Sequence, residues 1–169
     1  MMSPVEFFRW LNETPLSIYL RDSDYPFFVI ETVHLLALGF SVGTILWVDL
    51  YLVGFSMKRE RVSDVVGQFE RPALIGFVVM FASGFLLFLA EPLKAYITTA
   101  FRIKMVMLIF AGLNVLYFHS KVYPAGADWD GGTVAVPWRA RMVGIVSMTL
   151  WLAIIICGRW TAYFSVPGG

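Results

Sequence analysis

The chain has 169 residues, of which 59% are hydrophobic and only 15% are charged, well below the roughly 25% charged residues of an ordinary soluble domain. This composition excludes a soluble globular domain, and the net charge of +1 gives no reason to expect a nucleic acid partner. Cys157 is the only cysteine, which excludes an intrachain disulfide and the paired-cysteine motifs that hold zinc or attach c-type haem.

Residues 1–25 predict a short amphipathic helix that lies in the plane of the lipid headgroups. Ser3 and Glu6 are typical of a helix start, because the serine oxygen and the glutamate carboxylate can bind backbone amides that are otherwise unpaired. Arg9 and Glu13 lie among aromatic residues, which suits a membrane interface and does not resemble a cleaved signal peptide. The alternative is a mobile tail.

Four apolar blocks follow, each of about 20 residues, the length that crosses a hydrocarbon core of about 30 Å as a helix. We predict transmembrane helices at about 26–54, 72–90, 100–123 and 142–164. The predicted fold is therefore all-α: a polytopic membrane four-helix bundle with an interfacial N-terminal helix, in which residues 1–169 form one domain with the lipid bilayer as its surroundings.

The basic residues favour an orientation with both termini on the periplasmic side of a bacterial inner membrane. The link after the first span contains the compact cluster Lys58, Arg59 and Arg61, and the first helix usually dominates orientation. The basic residues of the whole chain are nearly balanced between the two sides, so this first link decides the prediction.

The first span carries ionisable side chains that should not face lipid. At about 100° per residue, Glu31, His34 and Asp49 share one narrow stripe of the helix. Charged groups at bilayer depth cost a few kcal/mol each, so they tend to face the bundle interior and to mark function. On another face of the same helix, Gly39 and Gly43 have the GxxxG spacing that permits close helix approach.

The third span carries a matching stripe of Lys104, Met107 and Asn114. The first and third spans of a bundle run in the same direction, so Lys104 lies at nearly the depth of Glu31 and His34. We predict an ion pair between Glu31 and Lys104, because it explains why both charges are tolerated.

At the opposite end of the first span, Asp49 and His119 lie within about one helical turn of each other in depth. They are candidates for a second pair. Arg71 and Arg141 compete as partners of Asp49, which would then form a plain salt bridge at the membrane surface.

His34 is the principal candidate for a metal ligand, because imidazole commonly binds haem iron and commonly carries protons. The alternative is a core histidine with satisfied hydrogen bonds. His34 and His119 differ in depth by roughly 15 to 18 Å, so one haem iron cannot bind both. Either each histidine binds a different haem, or His34 acts alone or with Met105, Met107 or Cys157, which lie at similar depth.

Several short motifs resemble those of a bacterial family of small four-helix inner-membrane proteins of unknown function. The motifs are Glu31-x-x-His34 with the following Leu-Leu-Ala-Leu-Gly, Asp49 to Gly54, Phe101-Arg-Ile-Lys104, Asn114 and Phe118-His119. The histidine of the first span and the lysine that opens the third are also distantly similar to the CopD domain and to the HemJ type of protoporphyrinogen oxidase. The second resemblance implies a four-helix core, a haem b near His34, and electron transfer to quinone, with His34 and Lys104 in the corresponding roles.

These patterns lead to one functional hypothesis and two alternatives. The leading hypothesis is a cytochrome-b-like membrane protein that passes electrons to or from quinone or a membrane or periplasmic redox partner. The alternatives are a non-catalytic membrane subunit and a copper or proton transporter. Whether the chain is an enzyme stays open, and association into a homo-oligomer is a further expectation. The predicted metal ligand is His34, and the predicted cofactor-binding residues are His34, Glu31, Lys104, Met107, Asn114 and His119.

Overall fold

A computed structural model describes residues 2–55, 60–124 and 136–163, and these ranges contain helices and no strand. The predicted all-α fold is confirmed. Lys58 and Arg59 of the basic cluster, and the last residue of the predicted fourth span, lie outside the described ranges. The described helices are α1 (Pro4–Asn12), α2 (Pro15–Asp22), α3 (Asp24–Val53), α4 (Val62–Ala90), α5 (Pro92–Ile97), α6 (Thr99–Tyr117), a π-helical turn (Phe118–Val122) and α7 (Trp138–Tyr163).

Four of these helices, α3, α4, α6 and α7, are long and apolar enough to cross a membrane. The four apolar blocks predicted from the sequence fall on them in the same order. The segments that meet the length and hydropathy of a span are Tyr25–Val53, Val62–Ala90, Thr99–Val122 and Trp138–Thr161.

The start of α4 differs most from the sequence-based boundaries, because the helix begins at Val62 and contains Pro72 in its interior. The residues before Pro72 form an amphipathic stretch in which Val62, Val65 and Val66 are buried while the intervening charged residues are exposed. Packing of these valines extends the helix beyond the purely apolar run. Proline is tolerated inside such a helix because neighbouring groups satisfy the freed carbonyl.

The spans pack in the order α4, α3, α7, α6. α3 packs along α4 and against α7, and α7 packs along α6. Across the described residues, no extended packing joins α4 to α6 or α3 to α6. α4 and α6 therefore face each other across a lateral gap, which narrows at one end, where the rings of Phe88 and Phe101 stack with 6.0 Å between their centroids. We call the two ends of this bundle the His34 end and the Asp49 end.

Glycines permit the close approach of α3 to its two neighbours. A Cβ atom on Gly144 of α7 would lie 2.8 Å from the carbonyl oxygen of Asp49, and one on Gly76 of α4 would collide with Ser41. The predicted close approach at Gly39 and Gly43 is wrong, because a Cβ on either would meet nothing within 4 Å in the described structure.

Helix α1 begins with the hydrogen bonds expected from its sequence. The backbone amide of Ser3 donates to the Glu6 carboxylate at 2.7 Å, and the amide of Glu6 donates to the Ser3 hydroxyl oxygen at 3.3 Å. These bonds lower the pKa of Glu6 from its ordinary value, because the backbone amide of Ser3 stabilises the carboxylate. The capping box predicted from the sequence is confirmed.

The N-terminal helices are packed onto the His34 end of the bundle. The ring of Phe8 stacks on Tyr96 of α5 with 4.5 Å between centroids. The hydroxyl of the buried Ser17 donates to the carbonyl of Ala90, at the end of α4, at 3.2 Å. The helices α1 and α2 are therefore attached to the bundle, and the alternative of a mobile tail is wrong for them.

Candidate functional site

His34 lies on the face of α3 that packs against α4, and its ring is held by two groups of that helix. Its Nδ1 atom is 2.9 Å from the carbonyl oxygen of Met80 and 3.1 Å from the hydroxyl oxygen of Ser83. The Ser83 hydroxyl can direct its own proton to the carbonyl of Val79 at 2.7 Å. A carbonyl only accepts, so Nδ1 donates, and a neutral His34 has its free lone pair on Nε2.

Gly84 provides the space in which the His34 ring sits. A Cβ atom on Gly84 would lie 2.9 Å from Cε1 of His34 and 3.3 Å from its Nδ1 atom. The sequence-based site omitted Ser83 and Gly84. The signal that could have revealed them is the run of small residues at 82–84 inside an otherwise bulky apolar helix, at a depth close to that of His34.

Lys104 lies near His34 but not in an ion pair with Glu31. Its Nζ atom is 3.6 Å from the position of a Cβ on Gly158 of α7, and it is close enough to His34 to act on it electrostatically. The described ion pairs are Arg21 with Asp22 and Lys94 with Glu91. The predicted Glu31 to Lys104 ion pair is therefore wrong. Its cause is the packing order, because α6 rests on α7 and not on α3.

A cavity of about 490 Å³ lies nearer the Asp49 end, lined by residues of α3, α4, α6, α7 and the π-helical turn. Its walls are mostly apolar and include Phe77 and Trp151, whose ring centroids are 5.2 Å apart. Asp49, Asn114 and His119 all line it, so the structure brings these three residues around one space. His34 is not among its lining residues.

Asp49 is buried, with 4% of its surface exposed. The Ser147 hydroxyl on α7 faces its carboxyl group, and no described cation lies within ion-pair distance of it. None of its three predicted partners, His119, Arg71 and Arg141, forms an ion pair with Asp49 in the described structure.

The remaining predicted residues fall into different surroundings. Asn114 donates from Nδ2 to the carbonyl of Val143 on α7 at 3.1 Å, and so joins α6 to α7. Met107 packs against the apolar cluster in the middle of the bundle. His119 lies in the π-helical turn, exposed, with its ring centroid 5.2 Å from that of Phe118. Glu31 is partly buried on α3 and has no described hydrogen bond or ion pair.

The model of a family of unknown function, DUF6644, matches residues 7–165, which is nearly the whole chain. The chain belongs to the DUF6644 family. No curated protein and no solved structure matches it. The predicted membership of an uncharacterised family is therefore confirmed. The resemblance of this DUF6644 chain to the CopD domain and to HemJ stays a prediction.

The described side chains of this DUF6644 protein limit the kinds of metal centre that it could hold. The described residues hold no group of three or more His, Cys, Asp and Glu side chains that could bind a metal ion. A single imidazole with a free Nε2 atom suffices as a protein ligand for haem, since the porphyrin supplies the other nitrogen ligands. Histidine ligands also typically donate their second ring N–H to a carbonyl, as His34 does to Met80.

Proposed function

We propose that this DUF6644 protein is an integral protein of the bacterial inner membrane that binds haem b through Nε2 of His34 and transfers electrons within the bilayer. The observation that carries the proposal is the hydrogen bond from Nδ1 of His34 to the Met80 carbonyl. That bond fixes the tautomer of a neutral His34, whose unprotonated Nε2 is the nitrogen that would bind iron.

The neighbouring residues have separate roles in this proposal. Met80 and Ser83 hold the imidazole of His34 in one orientation. Lys104, which is partly buried without a described acidic partner, supplies a positive charge for an anionic group such as a propionate. Glu31 lies about one turn before His34 on the same helix. A haem iron bound at His34 would supply one-electron chemistry, and quinone or a redox protein would be the electron partner.

The proposed orientation places both termini on the periplasmic side. His34 then lies nearer the periplasmic face and the Asp49 end faces the cytoplasm. The support is the basic cluster after α3, of which Arg61 is described and exposed. A periplasmic partner could therefore reach the His34 end, where α1 and α2 cover part of the bundle.

The test is a reduced-minus-oxidised absorption spectrum of the protein purified in mild detergent from cells supplied with a haem precursor. We expect the bands of a b-type haem, and a loss of more than about 100-fold in haem affinity for His34→Ala, because direct ligands matter at least as much as their supporting groups. His119→Ala is the matched control, since the other histidine lies at the far end of the bundle, and it should keep the spectrum.

A colourless wild-type protein that gains no haem on titration would overturn the proposal. If that colourless protein co-purified with a redox enzyme in fixed stoichiometry, the non-catalytic subunit would replace it. Bound copper without haem would instead support metal transport.

A further inference from the structure

We propose that the cavity near the Asp49 end is a ligand-binding site that opens to the lipid. Its ligand is an apolar molecule with a single ring that carries hydroxyl groups, such as an alkyl hydroquinone. The site is distinct from the His34 surroundings, and the inference does not rest on haem binding. It follows from the opening, the walls and the polar groups of the cavity.

The opening is the lateral gap between α4 and α6. Leu74 of α4 and Leu116 of α6 both line the cavity and are about two-thirds exposed, at 62% and 66%. They stand on either side of a gap that no extended packing closes in the described structure. Because both helices are long and apolar enough to lie in a bilayer, a molecule dissolved in lipid can reach the cavity sideways.

The walls fit an aromatic or other flat ring. Phe69, Phe77 and Phe81 contribute from α4, and Trp151 faces them from α7. A volume of about 490 Å³ lies within the usual range of small-molecule pockets, about 300–1,000 Å³. It holds a substituted ring, while a long alkyl tail would extend through the gap into the lipid.

Two polar side chains of the cavity, Asp49 and Asn114, offer acceptor oxygens, beside lining residues such as Ser147 and Trp151 that carry donors. Asp49 presents a carboxyl group that is almost fully buried, with the Ser147 hydroxyl facing it. Asn114 uses its amide N–H group on the Val143 carbonyl, and its side-chain oxygen makes no described hydrogen bond. Acceptors in an apolar cavity are costly to leave unpaired, so this set favours a ligand that brings hydroxyl donors over one that brings only carbonyl or ether oxygens.

The test measures binding of 2-decyl-1,4-hydroquinone to the detergent-purified full chain, kept reduced, by calorimetric titration. The comparison ligand is its dimethyl ether, which has the same ring and tail without donors. We expect the hydroquinone to bind about five- to tenfold more tightly than the ether, as one added hydrogen bond implies. Asp49→Leu, which removes both acceptor oxygens, should reduce this preference.

Gly112→Leu is the variant that blocks the site without disturbing the fold. Gly112 is exposed and lines the cavity, and a Cβ there meets nothing within 4 Å in the described structure, so a larger side chain can be accommodated at the rim of the cavity. Gly39→Leu is the matched control, because Gly39 has equally open surroundings but does not line the cavity. We expect Gly112→Leu to weaken hydroquinone binding by about tenfold or more, and Gly39→Leu to leave it unchanged.

Equal affinity for the hydroquinone and its ether, or binding that Gly112→Leu does not affect, would overturn the inference. His34→Ala should bind the hydroquinone as the wild type does. A protein that binds hydroquinone but no haem would contradict the proposed function alone. A protein that binds haem but no hydroquinone would contradict this inference alone.

Discussion

Gly144→Ala is expected to lower the free energy of unfolding by about 1–3 kcal/mol, the usual effect of extra volume in a well-packed core. The added Cβ would lie 2.8 Å from the backbone carbonyl oxygen of Asp49 and 3.3 Å from side-chain atoms of Leu52 and Val53. A backbone atom of α3 cannot rotate away as a side chain can. The two helices must therefore separate along their shared interface.

The measurement for Gly144→Ala is unfolding in mixed micelles, by denaturing detergent, followed by circular dichroism. Gly39→Ala is the control, because alanine there meets nothing within 4 Å in the described structure and improves helix propensity by up to about 1 kcal/mol. If both substitutions had the same effect, the close contact of α3 with α7 at this position would be disproved.

Gly84→Ala is expected to spare the fold but to reduce haem affinity by about 10- to 100-fold, the range found for groups that support a metal ligand. The new methyl group would lie 2.9 Å from Cε1 of His34. The imidazole can rotate away at little cost, but it then loses the hydrogen bond from Nδ1 to the Met80 carbonyl. Spectroscopic haem titration gives the affinity, with Gly39→Ala again as the control.

A second measurement on Gly84→Ala does not depend on haem. Nitrogen-15 NMR of labelled histidine distinguishes a ring protonated on Nδ1 from one protonated on Nε2. The wild-type His34 ring should be in the Nδ1–H form, and the variant should show a mixture. An unchanged tautomer together with unchanged haem affinity would show that Gly84 does not position the ring.

Much of the fold follows from local properties that the sequence displays directly. Apolar block length predicts the helices, and the cap of Ser3 and Glu6 predicts the start of α1, because both depend on neighbouring residues only. The start of α4 at Val62 was missed for a related reason. Hydropathy detects where lipid contact begins, whereas the buried valines before Pro72 extend the helix through contacts with other helices.

The candidate site was less predictable, because helical phase and depth do not give the order in which helices pack. Glu31 and Lys104 were predicted to lie at similar depth, yet Lys104 packs near Gly158 of α7 and not against α3. The GxxxG spacing at Gly39 misled for the same reason, since the close contacts occur at Gly76, Gly84 and Gly144, where the partner helix approaches. Which helices pack against each other depends on how their side chains fit together across the whole bundle.

The cavity was invisible to sequence reasoning, because it is bounded by residues from four helices that no single periodic pattern connects. Asp49 was recognised as unusual, and its burial agrees with that expectation. Its surroundings could not be predicted from the sequence, because helical phase and depth do not show whether the side chains of Arg71 and Arg141 reach Asp49. In the described structure neither forms an ion pair with it.

The packing order of the spans also bears on how the protein is assembled. α3 with α4, and α6 with α7, are pairs of neighbours along the chain, and in the described structure the extensive contact between the two pairs is that of α3 with α7. Each helical hairpin can therefore form as soon as it has been synthesised and inserted, since its contacts are local. Docking of the two preformed hairpins through α3 and α7 is then the last step, and residues 91–98 are the place where the chain could be divided into two separately made halves that reassociate.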